Sequence, residues 1–143
     1  MNKERVGIIS IHYGVNFGSA LQAIALSRYL KENYNFEKVD VINYIPQRFR
    51  RITRLKNLTG RGGAQFIHGL VRMYRFEKTN NKYISYLSKN ASVSNPIYSM
   101  NAAKTIFGDY KYLIAGSDQI WNSEYNQGID EMYYLGFASR KSS

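Results

Sequence analysis

Residues 5–46 read RVGIISIHYGVNFGSALQAIALSRYLKENYNFEKVDVINYIP, and the order of apolar patterns in this stretch decides the fold class. The opening RVGIISI is a β-branched, continuously apolar run of the kind buried on both faces of a sheet. The glycine loop HYGVNFGS follows. ALQAIALSRYLKENY then places Leu21, Ile24, Ala25 and Tyr29 at helical spacing. A second short run, KVDVINYIP, closes a strand-helix-strand unit and ends at Pro46. Strands joined in this way lie parallel, so the sequence predicts an α/β domain: a Rossmann-like parallel sheet with flanking helices.

Downstream, Gln47 to Gly63 is a basic, glycine-terminated segment expected on a surface loop, followed by an aromatic-rich helix over about residues 64–79. NPIYSMNAAKTIFGDY reads as a further helix ending near Gly108, and KYLIAG as a third strand. At 143 residues and 44% hydrophobic content the chain is expected to form one domain with a true core.

Composition removes several classes of function. Without cysteine there is no disulfide and no thiolate metal site, and the cytoplasm is the expected location. The amino-terminal apolar run, Val6 to Ile11, is short and lacks a small-residue cleavage pattern, so no signal peptide is expected. No uncharged apolar stretch approaches the roughly 20 residues of a spanning helix. The formal charge of +10 is concentrated between Pro46 and Gly108, where twelve Lys or Arg face a single acid, Glu77. Such a block suits anionic partners: nucleic acid, acidic polysaccharide, phosphorylated metabolites or a membrane surface contacted peripherally.

In open α/β sheets ligands gather at the carboxyl ends of the strands, where loops converge and helix N-termini present unpaired N–H groups. Two unusual loops are expected there. Gly14 to Ser19 follows the first strand and opens the first helix. The polar cluster Gly116, Ser117, Asp118, Gln119, Ile120, Trp121, Asn122 follows YLIA and reads as one wall of a binding cleft. Gly14 and Gly18 do not match the G-x-G-x-x-G spacing, and the second strand lacks an acid at its end, which argues against a dinucleotide site.

NFGSALQAIAL (residues 16–26) together with YLIAGSDQIWN (residues 112–122) resembles the polysaccharide pyruvyl transferase family, the second motif being the more specific. The resemblance implies the N-terminal half of a two-domain, GT-B-like enzyme. Such an enzyme transfers the enolpyruvyl unit of phosphoenolpyruvate onto sugar hydroxyls as a pyruvate ketal, in exopolysaccharide or cell-surface glycan biosynthesis. Family members are usually more than twice this length, so the C-terminal domain is expected to be missing from this chain. The groups that hold phosphoenolpyruvate would come largely from that domain, and a second polypeptide carrying it becomes a potential partner. The acceptor would be a glycan or a lipid-linked sugar. No cofactor and no metal is expected beyond phosphoenolpyruvate as donor.

By this resemblance the substrate-binding set is Asn16, Gly18, Ser19, Gly116, Ser117, Gln119, Trp121 and Asn122, with Asp118 and His12 as catalytic candidates. Each has a plainer reading. Ser19 is an ordinary N-cap and Asn16 a turn residue if nothing binds. Asp118 caps the next turn, or serves as the general base for an acceptor hydroxyl. Trp121 suits the core slightly better than a stacking surface for a sugar ring. His12 serves as acid or base, or as hydrogen-bonded structure. His68 has no evident partner. Two other functions remain as alternatives: an inactive enzyme half needing a partner chain, and a nucleic-acid binder acting through QRFRRITRLKNLTGR. The second lacks any helix-turn-helix, zinc-finger or RNP pattern and is disfavoured.

Overall fold

The computed structural model describes residues 4–12, 17–56, 58, 62–108, 110–116, 118–126 and 128–136. Four parallel strands, β1 (Arg5–Ile9), β2 (Lys38–Val41), β3 (Ser92–Val93) and β4 (Tyr112–Ala115), form one sheet in the order β3-β2-β1-β4. β1 is central. Its Val6 to Ile8 pair with Val39 to Val41 on one side and with Tyr112 to Ile114 on the other. KYLIAG therefore supplies the fourth strand in sequence, because the short β3 precedes it. The sequence hid β3: two residues leave no periodicity to detect. Its pairing with β2 outlasts both strands, through Ile45 N–H to Ile97 O (2.9 Å) and Ile97 N–H to Asn43 O (2.9 Å).

Helix α1 (Phe17–Asn33) buries Ala20, Ala23, Ile24, Ser27 and Leu30, a stripe at three- and four-residue spacing that lies on one sheet face. Helix α3 (Gly63–Asn90) crosses from β2 to β3 on the same face, and Tyr83 and Leu87 pack with Ala20, Ala23, Ile24 and Val41. Helix α4 (Met100–Phe107) is capped by Ser99, whose hydroxyl accepts from the Ala102 N–H at 3.2 Å. It covers the opposite face, with Ala103 and Phe107 against Ile9, Ile11 and Ile42. The molecule is thus a three-layer α/β/α sandwich. Helices leave β1 on one face toward β2 and return on the other toward β4.

Two expectations need correction. The basic segment after Pro46 is not simply loop: Gln47–Phe49 forms a 3-10 turn and α2 (Arg51–Lys56) follows. The aromatic-rich helix does not stop near residue 79 but runs to Asn90. Its inner stripe, Met73, Asn80, Tyr83 and Leu87, continues past the polar residues Asn80, Asn81 and Lys82, which look like a terminus in isolation.

The amino ends of the strands meet at one carboxylate. Asp40, fully buried, accepts hydrogen bonds from the hydroxyls of Ser92 and Tyr110. It lies 3.1 Å from Lys38 Nζ and 3.6 Å from an Arg5 guanidinium nitrogen. Burial pushes its carboxyl up, but the Ser92, Tyr110 and Lys38 hydrogen bonds, with the Lys38 charge, hold it below the usual range. β1, β2, β3 and the residue leading into β4 are all tied to this group. Beside it Gly7 leaves no room: a Cβ there would meet Ile42 Cδ1 at 2.8 Å and Leu113 Cδ2 at 2.9 Å.

Candidate functional site

β1 and β4 are neighbours whose connecting helices leave on opposite faces, so the switch point of the sheet lies between their carboxyl ends. Ile9 and Ala115 pair there, and the Gly116 N–H donates to Ile9 O at 2.9 Å. The two loops singled out by the sequence thus leave adjacent strands. A groove of about 330 Å³ opens beside them, bounded by Ile8, Ser10, Gln22, Ala25, Leu26 and Gly116. Among the described residues, a Cβ on Gly116 would meet nothing within 4 Å.

Asn16 and Ser117 lie outside the described residues, as does the side chain of Asp118. The backbone of Asp118–Trp121 forms a 3-10 turn. That turn is stapled to α5 (Ser123–Asn126), because the Asn126 amide donates to Gln119 O (3.1 Å) and Ile120 O (3.0 Å). The Asn122 amide donates to Gln119 Oε1 at 3.1 Å, aligning two of the expected binding side chains. Ile120, 1% exposed, is the core anchor of the motif. Trp121 is not core: it is 56% exposed, edge-on to Tyr134 with ring centroids 4.8 Å apart. Alternation around the turn sends Ile120 inward and the indole outward. The turn carrying Tyr134 holds Leu135 at φ 57°, a left-handed conformation costing a non-glycine residue about 1–3 kcal/mol.

At the opening of α1, Gly18 is exposed, Ser19 is buried, and Phe17 packs edge-on against Tyr83 at 5.8 Å. His12 sits differently. It is 1% exposed, with Nδ1 3.0 Å from Ser10 O and Nε2 3.2 Å from Asn43 Oδ1. Burial pushes its pKa down, against smaller upward pulls from Asn43 and Ser10, so the ring is neutral at pH 7 with one N–H. The two ring nitrogens thus face two acceptors, Ser10 O and Asn43 Oδ1, and the single N–H of the neutral ring donates to one of them. The Asn43 N–H in turn donates to Ser94 Oγ at 3.0 Å. His12 therefore links the carboxyl ends of β1, β2 and β3 and does not open onto solvent.

Asn43 and Ser94 were not among the sequence candidates, although Asn43 lies two residues past β2 and Ser94 directly follows β3, at the edge where the ligand loops were expected. The rule that singles out Gly116 applies equally to them. Among the described residues no group of His, Asp and Glu could hold a metal ion, and no helix is long and apolar enough to cross a membrane. No protein-family model, curated protein or solved structure matches the chain.

Proposed function

We propose that this chain provides the acceptor-side, GT-B-like half of a transferase that moves the enolpyruvyl unit of phosphoenolpyruvate onto sugar hydroxyls. One observation carries the reading. The loops bearing NFGS and GSDQIWN, far apart in sequence, leave adjacent parallel strands on the two sides of the switch point. The exposed indole of Trp121, braced by Tyr134, offers a flat apolar surface of the kind on which a sugar ring stacks. Gln119 and Asn122 beside it supply amides for hydroxyl groups.

Ketal formation begins with protonation of the enol methylene. One acceptor hydroxyl adds to the central carbon as phosphate departs, and a second hydroxyl closes the ketal. Asp118 is assigned as the base that takes a hydroxyl proton. The cationic groups for the phosphate and carboxylate of the donor belong to a second domain, in the same or another polypeptide.

Phosphate release from phosphoenolpyruvate with an acceptor glycan tests the proposal. The 143-residue chain should be silent alone and active with a partner carrying the second domain. In that assembly Asp118→Asn should lower turnover about 10²- to 10⁴-fold with an unchanged melting temperature. Full turnover with a melting temperature several degrees lower would make Asp118 a turn cap only.

A further inference from the structure

α3 is far longer than the sheet it packs on. Its 28 residues span about 42 Å at 1.5 Å per residue, whereas the five-residue β1 spans roughly 17 Å. The carboxyl end of α3 leads into β3, so its first half, from Gly63 to about Phe76, projects past the carboxyl edge. This projection packs against the segment before it. The rings of Phe49 and Phe76 stack at 6.1 Å, and the Arg54 guanidinium lies 4.0 Å above Phe76. Between the two helices a groove of about 360 Å³ is bounded by Arg54, Leu58, Gln65, His68, Arg72 and Met73, with no carboxylate among them.

The opposite side of this arm is apolar and solvated. Ile67 is 62% exposed, Val71 45% and Tyr74 64%. At about 100° per residue these three share the face turned away from Met73 and Asn80, which point inward. Lys78 continues the same face, and Arg75, His68 and Arg72 border it on the groove side.

We propose that this arm docks on an anionic lipid surface, with Ile67, Val71 and Tyr74 entering the boundary between headgroups and acyl chains while Arg72, Arg75 and Lys78 meet lipid phosphates. Charge and apolarity together select this partner. A nucleic acid would engage the cations but give the outward aliphatic side chains no apolar contact. A lipid surface presents anions and hydrocarbon within about 5–10 Å of each other. The proposal concerns a different surface from the switch-point cleft and does not depend on the transferase reading.

Flotation of the full chain with phosphatidylcholine vesicles, alone or containing phosphatidylglycerol, tests it. Binding should require phosphatidylglycerol and weaken with salt. The paired change Ile67→Asn and Val71→Asn should reduce it about tenfold or more, and Arg72→Gln or Arg75→Gln about fivefold each. Tyr74→Trp gives an independent readout on an otherwise intact surface: its emission, after subtraction of the wild-type signal from Trp121, should shift to the blue with phosphatidylglycerol vesicles. Failure to float, binding indifferent to the aliphatic changes, an unshifted difference emission from the Tyr74→Trp variant, or complete displacement by RNA would each overturn the assignment.

Discussion

Replacing Asp40 by Asn should cost the fold about 3 kcal/mol. The carboxylate accepts from two hydroxyls and faces two cations while fully buried. An amide keeps one acceptor oxygen and turns an NH2 toward groups that are themselves donors. A hydrogen bond to a charged group contributes about 1.5–3 kcal/mol, and breaking a buried ion pair costs about 3–5 kcal/mol. The Arg5 and Lys38 side chains are 30% and 47% exposed, so water rehydrates them and the lower end applies. At roughly 2–4 °C per kcal/mol for a chain of this size, thermal melts followed by circular dichroism at pH 7 should drop by about 6–12 °C. Acid weakens the same tie. Because the folded carboxyl titrates below its unfolded value of about 3.9, its stabilisation is present above that value and is lost as pH falls through the folded pKa. The melting gap between wild type and Asp40→Asn should therefore close in acid. Tyr110→Phe should be sub-additive with it, since the two changes remove a shared bond. A variant melting within about 2 °C of wild type at pH 7, or a gap that persists in acid, would refute the view that Asp40 ties the strands together.

Three further outcomes follow from the packing. Gly7→Ala forces a methyl against Ile42 and Leu113 and should destabilise by about 1–3 kcal/mol, read as a lower urea midpoint. Ser27→Ala removes a buried hydroxyl oxygen with no hydrogen-bond partner among the described residues and improves helix propensity, so the midpoint should rise or hold. A fall would mean that hydroxyl is engaged. Because the folded His12 ring resists protonation, stability should decline as pH falls below about 6.5, where the unfolded imidazole takes up a proton. His12→Gln should flatten that decline between about pH 7.5 and pH 5.5, and an unchanged slope would contradict the buried neutral ring.

The β-α-β unit was legible because its two periodicities, continuous apolar runs and a helical stripe, agree with its glycine loop and Pro46. Strand order was not readable from residues 5–46 alone: that KYLIAG lies beside β1 and not beyond β3 follows only from which face each crossover takes. Asp40 illustrates a second limit. In the sequence it is a lone acid inside KVDV, and only the arrival of Ser92 and Tyr110, more than fifty residues downstream, makes it a strand tie. For the candidate site, GSDQIWN follows a strand as expected, yet the inward residue within it is Ile120 and not Trp121. Apolarity favoured Trp121 for the core, whereas a 3-10 turn has room for one inward anchor there and Ile120 takes it.

The central position of β1 sets an order of events for the nascent chain. Of the four strands β1 emerges first, and it can join α1 and β2 soon afterwards, through contacts between nearby residues. Its other edge waits for Tyr112 to Ile114, among the last of this core to leave the ribosome. Until then an apolar strand stays open on one side, a template for pairing with another chain. Closing the β1–β4 ladder brings together distant parts of the sequence, a step whose loop entropy makes it slow. The strand that defines the finished sheet is therefore also its longest-standing hazard during synthesis.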